Sequence, residues 1–163
     1  MRPTLGRARE TLFNWLAADI VGARCVDLFG GSGALGFEAA SRGAASVTIV
    51  DSDRRTAAAL QAACAALGAD EINIFRRDAR AFLRATPGPW DIVFLDPPFS
   101  SPLLSDTLKV LAENPACLTS RSLIYWEAAS TPEFPPAFEP LKERAAGDTR
   151  FGLLRVAGAS PLD

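Results

Sequence analysis

The chain predicts an α/β fold: a mostly parallel seven-stranded sheet covered by helices on both faces, closed by an antiparallel C-terminal hairpin strand. Three observations carry that expectation. Apolar β-type runs alternate with helical stretches along nearly the whole sequence, a glycine-rich turn follows the first such run, and Asp96-Pro97-Pro98-Phe99 ends the fourth.

Taken in order, a helix is expected over 4–17, with apolar residues at Ala8, Leu12, Trp15 and Leu16 on one stripe. A strand at 24–29 leads into a helix at 33–42, a strand at 46–51 into a helix at 54–67, and a strand at 72–76 into a short helix at 79–85. The apolar run 91–95 is the fourth strand, followed by a helix at 102–113 and a strand at 122–128. Two closing stretches, 138–145 and 149–157, flank Ala146-Gly147-Asp148, a hairpin signal, and Pro132, Pro135, Pro136 and Pro140 mark a surface connection at the hairpin entry.

Composition narrows the chemistry. With 163 residues and 48% apolar content the chain can bury a real core, so one domain over 1–163 is expected, with an N-terminal helix and basic block at 1–17 and a ligand-binding catalytic core at 18–158. No run approaches the ~18 apolar residues of a membrane span. Cys25, Cys64 and Cys117 are odd in number and far apart, which predicts buried reduced thiols in a cytoplasmic protein rather than disulfides or zinc ligands. The chain has no histidine, which excludes Ser-His-Asp and Cys-His hydrolases, His-bearing zinc sites and any histidine general base; no metal is expected.

The Asp96-Pro97-Pro98-Phe99 segment is the most specific feature. Two successive prolines lack N–H groups and fix φ, so they force the chain out stiffly at the carboxyl end of a strand, where open α/β sheets keep their ligands. A flat exocyclic amine suits this set: Asp96 and the Pro97 carbonyl accept its two N–H bonds, and Phe99 stacks on the ring. A plain Pro-rich turn is the competing reading.

Upstream, Gly31-Ser32-Gly33-Ala34-Leu35-Gly36 fits G-x-G-x-x-G directly after a strand and opens a helix. Asp51 ends the next strand, where an acid can grip ribose hydroxyls; a helix N-cap is its alternative, and the cap is assigned to Asp53. A dinucleotide and S-adenosyl-L-methionine (SAM) are both compatible with these glycines. Asp27 just before them is unfavourable beside a pyrophosphate but suits a sulfonium or an α-amino group, which favours SAM.

The pattern D-x-F-x-G-x-G-x-x-G, the acid at Asp51 and the D-P-P-F segment resemble the class I SAM-dependent methyltransferases, Rossmann-like enzymes that here would modify an exocyclic amine. Arg2-Pro3-Thr4, Arg7, Arg9 through Leu16, and Ile124-Tyr125-Trp126-Glu127 add a closer likeness, to the RsmD family, which methylates N2 of a guanine in 16S rRNA. That resemblance runs from Arg2 to about Val156 and implies that the chain lacks the family's N-terminal extension. It implies SAM as cofactor with S-adenosyl-L-homocysteine as product, and Asp96, Pro97, Pro98 and Phe99 as catalytic residues. For the cofactor it implies Asp27, Gly31 and Gly33 around the methionine part and Asp51 on the ribose. Asp78 and Ala79 take the adenine, with Asp78 also able to cap the following helix.

The charge pattern is less decisive. Net charge is −2, yet the cations are 15 Arg against two Lys. Arg2, Arg7 and Arg9 are the expected RNA-phosphate contacts, whereas the arginines at 76, 77, 80 and 84 read as a solvated face. The expected partner is 16S rRNA in the small ribosomal subunit or an assembly intermediate, bound by a monomer without membrane contact. Three other readings stand beside this one: an N-methyltransferase for DNA adenine or protein glutamine, an NAD(P)-dependent oxidoreductase, and a non-catalytic SAM- or RNA-binding module. Trp15, Trp90 and Trp126 are read as core or edge aromatics.

Overall fold

In the computed structural model, which describes residues 3–85, 88–99 and 101–158, seven strands form one sheet in the order β3-β2-β1-β4-β5-β7-β6. The strands are β1 (Arg24–Asp27), β2 (Ser46–Asp51), β3 (Ile72–Arg76), β4 (Trp90–Leu95), β5 (Leu118–Ala128), β6 (Phe138–Ala146) and β7 (Thr149–Val156). The first five are parallel to one another, and β7 runs antiparallel between β5 and β6. The inserted hairpin strand is therefore β7, while β6 takes the outer edge.

Helices α1 (Pro3–Trp15), α2 (Ala34–Ser41) and α3 (Arg54–Leu67) cover one face, and α4 (Ala79–Ala85) and α5 (Leu103–Glu113) the other. Of the stripe expected on the first helix, Ala8, Leu12 and Leu16 are buried, with Phe13, against Phe94, Tyr125 and Leu153 of the sheet, while Trp15 is half-buried. Phe13 and Phe94 lie with ring centroids 6.0 Å apart. Opposite, Leu83, Leu104, Leu108 and Leu111 pack on Val93, Leu95 and Trp126. The central strands are apolar on both sides because both faces are covered, as parallel sheets require.

Several boundaries differ from the sequence expectation, most by a residue or two, and two of the strand boundaries have a clear physical reason. The first strand ends at Asp27 rather than 29, because Leu28 and Phe29 already leave the ladder to enter the glycine turn. β5 begins at Leu118 instead of 122. Its register against β4 slips between the pairs Trp90–Leu118 and Ile92–Leu123, and Ser122 Oγ donates to the Trp90 carbonyl at 2.6 Å across the slip. A polar stretch held by a side-chain bond carries no apolar alternation, so the strand was concealed. Cys25 and Cys117 are buried as expected, with Cys117 Sγ donating to the Leu83 carbonyl at 3.4 Å, and Cys64 is half-buried on α3. Among the described residues no helix is long and apolar enough to cross a membrane.

Candidate active site

The carboxyl ends of β1, β2 and β4 converge on a cavity of about 490 Å³, a size typical of small-molecule sites. Gly31, Asp51, Asp78, Ala79 and the whole Asp96-Pro97-Pro98-Phe99 segment line it, with Leu28, Phe29 and Leu103 as apolar wall. Residues separated by up to 75 positions, from Leu28 to Leu103, thus meet at one mouth, at the point where the strand order reverses between β1 and β4.

The glycine turn is tied down by an acid. Asp51 accepts from the Gly31 N–H with Oδ2 and from the Asp53 N–H with Oδ1, both at 2.9 Å. Each oxygen keeps further acceptor capacity, so Asp51 can both brace the turn and face a ligand. Asp53 caps α3, accepting from Thr56 N and Oγ1 at 2.9 Å, the cap the sequence assigned to it. Gly31 takes φ +55° and brings no side chain to the cavity wall, which lets a ligand approach the backbone.

Gly33 has a different task. It takes φ +83°, is buried, and a Cβ there would stand 2.7 Å from Leu60 Cδ2 and overlap Phe37, so its lack of a side chain lets α3 close on the turn. Among the described residues Gly33 is not part of the cavity lining, and neither is Asp27. Asp27 sits beneath the turn, 1% exposed, accepting from the Phe29 N–H at 3.4 Å. Burial pushes its carboxyl up to about 7, aided by the neighbouring Asp51 charge and opposed by backbone N–H donors at Phe29 and Gly36.

Asp78 is exposed at the cavity and caps α4, with its Oδ1 accepting from Arg80 N at 2.9 Å and Ala81 N at 3.2 Å. The Arg80 guanidinium clasps both its oxygens, Nε to Oδ1 at 3.2 Å and Nη2 to Oδ2 at 3.0 Å, and holds its carboxyl below the usual range. Arg80 also reaches Asp106 on α5 at 3.6 Å. It was read from sequence as a solvated cation, yet it orients an acid of the cavity; only the fold could reveal that pairing.

Asp96 is half-buried and Pro97 buried, while Pro98 is exposed and Phe99 half-buried. Of the expected RNA contacts, Arg7 is exposed and Arg9 half-exposed on α1, and Arg2 lies outside the described residues. No described residue of α1 lines the cavity. Trp126 is core and Trp90 nearly so, whereas Trp15 is half-buried under Lys142 and Arg144 of β6, whose cationic groups stand 6.0 and 5.9 Å from the ring centroid.

A seven-stranded sheet in this order, a glycine turn braced by an acid after the next strand, and a D-P-P-F segment at the same mouth define a class I SAM-dependent methyltransferase. Comparison with known proteins narrows the class. A family model described as "Conserved hypothetical protein 95" matches residues 1–155. The Ribosomal RNA small subunit methyltransferase D of Escherichia coli K12 is 42% identical over the whole chain and 84% of its own length, and its Haemophilus influenzae counterpart is 36% identical over 94% of the chain and 82% of its own. The solved structure of Escherichia coli yhhF superposes with a TM-score of 0.88 at 43% identity, covering 96% of this chain and 88% of that one. The Haemophilus influenzae HI0767 structure gives 0.82 at 35%, covering 94% and 99%. The chain belongs to the RsmD family of methyltransferases.

Proposed function

We propose that this chain transfers a methyl group from SAM to the exocyclic N2 of a guanine in 16S rRNA, within the small ribosomal subunit or an assembly intermediate, acting as a cytoplasmic monomer. The observation that carries the reading is the meeting of two ligand-type walls in one cavity: Gly31, Asp51 and Asp78 on one side, Asp96-Pro97-Pro98-Phe99 on the other. The substrate class is supported by the relatives, which are named as small-subunit rRNA methyltransferases.

The residues present fit SAM. Asp51 offers acceptors for the ribose hydroxyls, Asp78 with Ala79 N–H an acceptor and donor for the adenine edge, and Leu28, Phe29 and Leu103 an apolar bed. Asp27 lies just below the turn that would hold the methionine part, with Gly31 allowing backbone approach and Gly33 keeping the turn closed. When bound, SAM supplies a methyl carbon made electrophilic by a sulfonium, whose sulfur keeps the bonding pair as a thioether.

The protein's contribution is then alignment and proton handling. Positioning of amine and methyl can supply roughly 7–11 kcal/mol of effective molarity. Asp96 and the Pro97 carbonyl accept the two N–H bonds of the target amine, turning its delocalised lone pair toward the methyl. Pro97 and Pro98 hold that carbonyl rigidly, and Phe99 stacks on the base. As the new N–C bond forms the nitrogen gains positive charge, and Asp96 takes the surplus proton directly or hands it to water. A base within folded RNA has to turn out of its stack to reach this mouth. Arg7 and Arg9, with Arg2, would grip the phosphates.

The test is incubation of the chain with labelled SAM and, separately, small subunits from a knockout strain, naked rRNA, DNA and protein, followed by nuclease digestion and mass analysis. One N2-methylguanine in 16S rRNA is the expected product. Methylation of adenine or of glutamine, or none on any substrate, would refute the assignment.

A further inference from the structure

Beside the D-P-P-F segment lies a second cavity of about 210 Å³, and Pro97, Pro98 and Phe99 form the wall it shares with the first. Glu127 lines it. Leu95 of β4 and Trp126 of β5 are register partners; Asp96 follows the end of β4 and Glu127, still within β5, follows Trp126, so the two acids come side by side. Adjacent parallel strands stand about 4.8 Å apart, so carboxylates on neighbouring strands can converge on one nucleobase edge. Glu127 is only 4% exposed, and the Tyr125 hydroxyl donates to its Oε2 at 3.1 Å, which fixes the carboxylate's orientation. The Tyr125 phenol is pushed well above its ordinary range by burial, then by the Glu127 and Asp96 charges, so it stays a donor and both acids reach its oxygen electrostatically.

We propose that Glu127 is the residue that reads guanine as guanine, accepting the N1–H of the target base while Asp96 and the Pro97 carbonyl hold its N2 amine. This rests on the methyltransferase reading given above and names the base selectivity of that same site. Guanine alone among the candidate acceptors presents N1–H and N2–H as adjacent donors on its Watson–Crick edge. Adenine places an acceptor lone pair at N1, which a buried carboxylate would repel with nothing to offset the cost. An ionised carboxylate has about four lone-pair positions and can accept from several donors at once. Burial between β4 and β7, where Glu127 pairs with Phe151, sharpens the discrimination by keeping water from substituting for the missing donor. The sequence singled out Ile124-Tyr125-Trp126-Glu127 as a motif without giving it a task; this is the task.

The experiment replaces the mapped target guanine in reconstituted small-subunit particles by 2-aminopurine, which keeps the 2-amino group but carries an acceptor at N1. Wild-type protein should prefer guanine by at least about a hundredfold in kcat/KM. With S-adenosylhomocysteine bound, the particles' Kd should show the same direction of preference. Glu127→Gln retains an oxygen for the Tyr125 hydroxyl, so its fold and SAM affinity should persist. Its amide can now donate to N1, and the preference should fall at least tenfold, about 1.4 kcal/mol, through loss on guanine and gain on 2-aminopurine. A folded Glu127→Gln protein with normal SAM affinity and unchanged preference would overturn the proposal. So would a wild-type protein that methylates both bases alike, a result that needs no variant. Wild-type protein inactive on guanine-bearing particles would instead refute the function proposed above, and this selectivity with it.

Discussion

Raising the pH from about 6 to about 7 should tighten SAM binding about fivefold, because Asp27 changes charge in that interval. Its buried carboxyl has a pKa of about 7 in the free protein, so about 9% is ionised at pH 6 and about half at pH 7. If the cationic methionine part binds only the ionised form, affinity follows that fraction and rises about fivefold, close to 1 kcal/mol. The ligand's own α-amino group, with a pKa near 7.7–8.0, stays largely protonated throughout. Calorimetry at pH 6.5 in two buffers of different ionisation enthalpy should detect the release of about 0.8 proton per SAM bound. Asp27→Asn should abolish both the slope and the proton release. A flat affinity profile in the wild-type protein would refute the placement of Asp27 beneath a cation.

The same group sets a stability trend of opposite sense. Its folded pKa lies about three units above the unfolded value of 3.8, so the folded state binds more protons. The stability that the neutral form contributes is complete below pH 3.8 and is lost as the pH rises through about 7. The full span is about 4 kcal/mol. Ligand-free Asp27→Asn protein should therefore melt several degrees above wild type at pH 8 while binding SAM more weakly.

Other substitutions separate the remaining roles. Asp51→Ala removes the brace on Gly31 and a ligand acceptor together, so SAM affinity should fall by roughly 1.5–3 kcal/mol in calorimetry, and an unchanged Kd would count against it. Asp96→Ala should reduce methyl transfer below detection with SAM affinity nearly intact, whereas Phe99→Ala should act more mildly and mainly on KM for RNA; a lost SAM Kd in the first variant would show the roles to be exchanged. Asp53→Ala, which deletes only the α3 cap, should cost about 1 kcal/mol in denaturant unfolding and leave turnover unaltered. Arg7→Ala with Arg9→Ala should weaken RNA binding and flatten its salt dependence without changing SAM affinity, as measured by filter binding across a salt series.

Most of the architecture was legible because it is written in local signals. The strands 46–51 and 72–76, the helices 54–67 and 79–85, and the hairpin around Gly147-Asp148 appear with nearly the expected bounds, since each is an apolar period ended by a cap or turn residue. The misread boundary at Leu118 belongs to a strand whose first residues are polar and held by Ser122 rather than by packing. At the site, the sequence singled out the acids that line the cavity, Asp51, Asp78 and Asp96, but not what holds them. Asp78 was legible as a cap because its partners are two and three residues away, while its clasp by Arg80 competes with many equally close cations in the chain.

What the sequence could not supply depends on strand register. The Gly31–Asp51 bond joins positions 20 apart because β1 and β2 run in parallel with Asp27 opposite Ile49, which sets the turn after β1 against the end of β2. Asp96 and Glu127 become neighbours by the same logic, through Leu95 and Trp126, although 31 positions separate them. A one-residue slip in either pairing would move the acid to the other face of the sheet. The buried rows Val93 to Leu95 and Ile124 to Trp126 forbid that slip, because it would take Leu95 and Trp126 out of the α4–α5 core and turn Asp96 and Glu127 into it. Core packing on the α4–α5 side thus fixes which carboxylates stand together on the other. The apolar residues of β4 and β5 specify the geometry of a site they do not touch.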